Sequence, residues 1–235
     1  SSVPLTLGNS VVLCRTLGYK HVAHSASIGD TLRLLTSVTG PMVIVSILAA
    51  AGPWLVGRVV LAGPSGREGF ALYTIGLQWT SLVLFVPGAI SQVILPRLVS
   101  ARHRNTQAPT SATLVRQGSA LSFGAAVVIG LIGVLSNSYI VSLYGVEYSA
   151  AGPLIVVYML AALPNAPVNT IGNAILAADG QTCWLWITVV WFGSLIGTAS
   201  LLVSLGPWTG ALAYATASMV LAIHSMYVAR HRQLV

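Results

Sequence analysis

Residues 119–143 read SALSFGAAVVIGLIGVLSNSYIVSL, a run without one charged side chain. A bilayer core about 30 Å thick is crossed by about 20 apolar residues in a helix, because lipid offers no partner to an unpaired backbone group. The run therefore reads as a membrane span. Working outward, five further stretches of the same kind emerge, at 38–62, 70–98, 150–178, 183–205 and 208–229. The expected architecture is all-α: a six-helix transmembrane bundle over 38–229, an N-terminal cytoplasmic or interfacial flank over 1–37 and a cytoplasmic tail over 230–235.

The composition agrees. Of 235 residues, 55% are hydrophobic and only 6% charged, where an ordinary soluble domain carries roughly 25% charged residues; the mean hydropathy is +0.84. A soluble globule and a disordered chain are both excluded. The net charge of +7 does not indicate nucleic acid, because the basic residues lie between apolar runs and form no stripe along one face. Membrane lipid is the expected partner. The opening residues lack the order of a secretory signal and an initiating Met, so the chain reads as a fragment or a processed product.

Lys and Arg collect in cytoplasmic loops. With the first span starting inside, the inner segments hold Arg15, Lys20, Arg33, Arg97, Arg102, Arg104, Arg116, Arg230 and Arg232, nine of the eleven basic residues. That alternation predicts an even number of crossings with both ends cytoplasmic. The basic loop from Arg97 to Arg116 either anchors the topology or attracts anionic lipid. Pro41, Pro53, Pro87, Pro96, Pro153, Pro164 and Pro167 are expected to break or bend the first, second and fourth spans.

Polar residues inside spans mark either packing or function. Asn165, Asn169 and Asn173 recur every four residues and share one helix face, next to Pro164 and Pro167. Three amides facing lipid would be expensive, so they either tie helices together or line a wet cavity and hydrogen-bond a sugar. On the second span Gln78, Ser81, Phe85, Gly88 and Gln92 form a similar stripe. Arg58 either snorkels to the outer boundary or meets a phosphate or sugar carboxylate in a cavity; Arg33 stands in the same relation to the inner mouth. Gly193 and Gly197, continued by Ser200 and Ser204, predict close helix packing.

Enzymatic chemistry finds little support. The four acids, Asp30, Glu68, Glu147 and Asp179, are widely separated and lie outside the spans, and no HExxH, GxSxG or P-loop spacing occurs. Cys14 and Cys183 have neither CxxC nor His spacing and read as small apolar fillers; His224, near the inner end of the sixth span, either titrates near neutrality or is hydrogen-bonded to a neighbour, and the flanking His21, His24, His103 and His231 are assigned no chemistry. No metal and no cofactor are expected.

The second span and its flanks, EGFALYTIGLQWTSLVLFVPGAISQVILPRLVSA, resemble the eighth helix of the oligosaccharide-lipid flippases. These form the polysaccharide-export branch of the multidrug/oligosaccharidyl-lipid/polysaccharide (MATE-like) superfamily. The tail, PNAPVNTIGNAILAADGQTCWLWITVVW followed by LGPWTGALAYATASMVLAIH, resembles the last three helices of the same proteins. The resemblance covers about residues 30–232. It implies the second of two six-helix bundles that face each other across a central cavity, with a preceding half supplied elsewhere. It further implies flipping of a polyprenyl-diphosphate-linked oligosaccharide from the inner to the outer leaflet of the bacterial cytoplasmic membrane. By position, likeness to cavity residues of that family extends to Arg58 and Gln78. Alternatives are a small-molecule or cation antiporter of the same superfamily, a membrane glycan polymerase or ligase, and a non-transporting scaffold. The antiporter reading would favour an intramembrane carboxylate, and the polymerase reading a large charged outer loop.

Overall fold

A computed structural model describes Thr36 and residues 39–103, 108–145 and 148–234. One compact unit, Met42–Val235, carries the helices below apart from the first two residues of α1. They are α1 Gly40–Ala62, α2 Gly66–His103, α3 Ala108–Leu135, α4 Asn137–Tyr144, α5 Ala151–Ala162, α6 Ala166–Ala177, α7 Gln181–Leu201 and α8 Trp208–His231. A single 3-10 turn, Leu163–Asn165, joins α5 to α6. Among the described residues six stretches are long and apolar enough to cross a membrane: Gly40–Ala62, Gly66–Ser100, Ser111–Leu135, Ala151–Ala177, Gln181–Leu201 and Trp208–His231. The protein is an all-α, multi-pass membrane bundle.

The α5–α6 rod is its pillar. Of the residues in its most apolar stretch 67% are buried, against at most 33% in any other span, as expected for a helix that is apolar all round. It packs against α2, α3 and α8, and each of these receives a side chain of α5 at a glycine. Gly76 of α2 lies under the ring of Tyr158, Gly133 of α3 under the thioether of Met159, and Gly210 of α8 under the Tyr158 hydroxyl. With no Cβ in the way the helices approach closely, which supplies the dispersion contacts that hold membrane helices together where no hydrophobic force acts between them. Tyr158 is fully buried and rings with Tyr73 and Tyr214 at centroid separations of 6.3 and 6.1 Å. A second, smaller apolar cluster forms around Ile175 and Ile187.

α1 leans on α2 and α7. Gly52 faces Leu195 and Trp191, Gly57 faces Phe70 and Tyr73, and the Tyr73 hydroxyl donates to the carbonyl of Pro53 at 2.6 Å. α7 and α8 form the most extensive helix pair, joined through Gly206 at φ +62°. Leu131, Ile132, Leu201 and Ile223 point outward, as side chains facing acyl chains should.

Several expectations need correction. The third membrane helix ends at Leu135, not near 143: the chain turns at Ser136 and residues 137–144 form the separate α4. It begins at Ala108, before the apolar run, because a helix that leaves the bilayer continues through polar sequence as readily as through apolar. Pro87 and Pro96 do not interrupt α2, nor Pro53 α1. Pro41, Pro153 and Pro167 occupy first helical turns, where the missing N–H has no intrahelical partner to lose; the interruption falls at Leu163–Asn165 alone. The small face of α7 does not pack closely, since a Cβ at Gly193 or Gly197 would meet nothing within 4 Å. Cys183 is more than filler, as its Sγ accepts a hydrogen bond from the Arg232 guanidinium at 2.8 Å. Arg33 and Cys14 lie outside the described residues.

Candidate functional site

The polar stripe of α2 is exposed. At 100° per residue Thr74, Gln78, Ser81, Phe85 and Gln92 fall within a sector of about 60°, and all five are solvent-accessible on the bundle surface. From Thr74 to Gln92 the helix rises about 27 Å, close to the thickness of a bilayer core. The stripe is thus a polar track nearly as long as the membrane is thick.

Asn169 joins that track. Together with Ser81, Phe85, Gly88, Ser91 and Gln92 it lines a groove of about 440 Å³ between α2 and the central rod. The three asparagines nevertheless do three different things. Each step of four residues overshoots a helical turn by about 40°, so the amides fan out. Asn165, buried, donates from Nδ2 to the Ser218 hydroxyl of α8 at 2.9 Å. Asn173, on the other flank, donates from Nδ2 to the backbone carbonyl of Ser91 on α2 at 3.1 Å. Asn169 between them is exposed in the groove.

The hydroxyls of the track are already committed as donors. Thr74 donates to the Phe70 carbonyl at 2.9 Å, Ser81 to that of Leu77 at 2.9 Å, and Ser91 to that of Gly88 at 2.8 Å. Such back-bonding satisfies a hydroxyl hydrogen in an apolar medium and leaves oxygen lone pairs free to accept. Donors for a ligand come from the amides of Gln78, Gln92 and Asn169, each of which also accepts. Phe85, 73% exposed, offers a bare ring face among them. The combination suits a neutral, hydroxyl-rich molecule with apolar ring faces.

Arg58 lies at the other end of the track. It is exposed and lines a cleft of about 340 Å³ between α1 and α2 with Trp54, Tyr73 and Thr74. Thr74 connects the two recesses, being the next residue beyond Gln78 at helical spacing on the same face. The i−4 step from Gln78 to Thr74 is visible in the sequence, but a Thr in a membrane helix carries little signal by itself. Trp54 carried no sequence signal beyond its place four residues before Arg58. Gln78 lies on the track between cleft and groove. Among the described residues no cluster of three or more His, Cys, Asp or Glu could hold a metal ion.

No family model matches the chain. In sequence it is similar to the EPS I polysaccharide export inner membrane protein EpsE of Ralstonia solanacearum, 29% identical over 127 residues, 52% of this chain and 28% of that protein. The protein of the same description from Ralstonia nicotianae is 28% identical over 123 residues, 51% of this chain and 27% of that protein. In structure the chain is similar to MATE in complex with MaL6, with a TM-score of 0.77 and 14% identity, over 97% of this chain and 54% of that one. The chain therefore spans about half the length of the solved structure it matches, and its sequence likeness covers little more than a quarter of the export proteins. In fold the chain is similar to about half of the solved MATE structure, and in sequence it is similar to polysaccharide export proteins over about half its length.

Proposed function

We propose that this chain is one six-helix half of a transporter of the bacterial inner membrane that moves a polyprenyl-diphosphate-linked oligosaccharide from the inner to the outer leaflet. The observation that carries the proposal is the polar track of α2, completed by Asn169 and ended by Arg58, on a bundle that exposes many large apolar side chains elsewhere, Leu131, Ile132, Leu201 and Ile223 among them. A second half facing this track would close a wet passage. Amides and hydroxyl oxygens would replace the hydration of the sugars, Phe85 would stack on a sugar face, and Arg58 would meet the diphosphate by charge-assisted hydrogen bonds. The polyprenyl tail would stay in lipid throughout. Rocking of the two halves would expose the passage to each side in turn. Similarity to polysaccharide export proteins supports this choice of cargo, and the MATE fold supports the rocking geometry.

Deletion of the full-length gene tests it. Undecaprenyl-linked oligosaccharide should accumulate on the inner leaflet and disappear from it on complementation with the full-length gene. Sensitivity to cationic drugs without such accumulation would instead establish the small-molecule extruder.

A further inference from the structure

A second recess opens on a different side of α2. Ile90, Val93 and Ile94 of α2 face Leu121 of α3 across a groove of about 410 Å³, with Arg97 and Gln117 among its lining residues. At 100° per residue Val93 and Arg97 stand about 100° and 140° round the helix from the middle of the polar track. The groove therefore opens to the side of the track, with Ala89 on the rim between the two recesses. It is also apolar for most of its length. From Ala89 to Arg97 the helix rises about 12 Å, nearly the depth of one leaflet's hydrocarbon. Gly118 keeps the recess narrow at its floor, where the Ile94 side chain occupies the space a Cβ would fill.

The two polar side chains stand at one end. Arg97 lies near the close of the span Gly66–Ser100, and Gln117 lies one to two turns inside the opening of the antiparallel span Ser111–Leu135. Arg97 and Gln117 are both exposed, and Arg116 stands beside Gln117 on α3. Among the described residues no acid or amide engages the Arg97 guanidinium. An acyl-chain-sized trough capped, toward the ends of its two spans, by an amide and by a cation that no described acid or amide engages is complementary to one class of molecule.

We infer that the α2–α3 groove is a binding site for an anionic phospholipid, with one acyl chain between Ile90, Val93 and Leu121 and the phosphate held by Arg97 and Gln117. The occupant is a bilayer lipid of the leaflet on the Arg97 side, and it is separate from any molecule in the polar track. Binding would fill a dry recess between two helices that otherwise leave apolar atoms without neighbours. It would also place a negative charge beside a basic segment, a contribution of the size of one charge near a membrane surface.

The full-length protein, purified in a neutral detergent, is to be incubated with phosphatidylglycerol or phosphatidylcholine of matched chains and bound lipid counted by native mass spectrometry. Phosphatidylglycerol should be retained roughly fivefold more than phosphatidylcholine, the effect of about one charge. Arg97→Gln should abolish that preference while Arg230→Gln, an exposed cation at the end of α8, keeps it. Val93→Trp should lower retention of both lipids by filling the trough. Tailless glycerophosphoglycerol should not compete, since the chain supplies much of the contact. Undiminished preference in Arg97→Gln, or equal loss in Arg230→Gln, would overturn the site, as would unchanged retention in a folded Val93→Trp.

Discussion

Asn173 on the central rod donates to the backbone carbonyl of Ser91 on α2, 3.1 Å away and 82 residues earlier in the chain. The bond pins the pillar to the helix that carries the polar track, at the end where Gln92 and Asn169 meet. Removing it in Asn173→Ala should cost about 1 kcal/mol, the scale of an interhelical hydrogen bond in a membrane protein. A melting temperature in detergent a few degrees lower is the expected reading. An unchanged one would mean the bond contributes nothing.

Asn165 should behave more severely. Its removal leaves the Ser218 hydroxyl buried without its donor, a penalty of about 1–3 kcal/mol. The partner is defined, so Asn165→Ala, Ser218→Ala and the double variant form a thermodynamic cycle. The double variant should be less destabilised than the two singles together. Strict additivity would show that the two side chains do not interact.

Asn169→Ala is expected to leave stability within about 0.5 kcal/mol of the parent, as for exposed positions generally, and to slow export of lipid-linked oligosaccharide. Separate measurements of melting and of export distinguish it from its two neighbours. Normal export in Asn169→Ala would remove this residue from the passage.

Arg58→Ala is expected to impair export at unchanged protein level, and Arg58→Lys to restore it only in part, because an ammonium cannot make the two parallel bonds a guanidinium offers to phosphate. Full export by the Ala variant would reduce Arg58 to a side chain that reaches for the interface.

Two glycines give opposite expectations. Gly76 sits against the ring of buried Tyr158, so the methyl of Gly76→Ala has no room and should destabilise by about 1–3 kcal/mol. Gly193→Ala meets open space and should gain slightly from better helix propensity. Equal behaviour of the two in thermal unfolding would refute the packing described around Tyr158.

The bundle was legible in the sequence because its physics is one-dimensional: backbone hydrogen bonds in lipid must close within a helix, so apolar runs of span length announce themselves. Where the runs were misread, apolarity and helicity had parted. Residues 137–144 are apolar but follow the turn at Ser136, and Ala108–Gln117 is polar but helical. The stripe of α2 was legible because Gln78, Ser81, Phe85 and Gln92 share one helix, whose periodicity fixes their common face. The asparagines were legible as a set but not in their separate duties, which depend on where α8 and α2 stand beside the rod. The GxxxG of α7 misled for the same reason. Gly193 and Gly197 make a smooth face, but whether a neighbour comes to it is decided by the other helices. The glycines that do receive side chains, Gly76, Gly133 and Gly210, sit on three different helices around α5, a relation no local pattern contains.

One residue type repeated at intervals of four does not stay on a line; it spirals slowly round the rod, so successive copies become masonry, then doorway, then masonry again. Shifting such a motif by one position would swing every copy about 100° round the rod and take the present amide out of the opening, without new chemistry. Descendants of this scaffold would thus have an inexpensive way to re-tailor the bore for a differently shaped cargo.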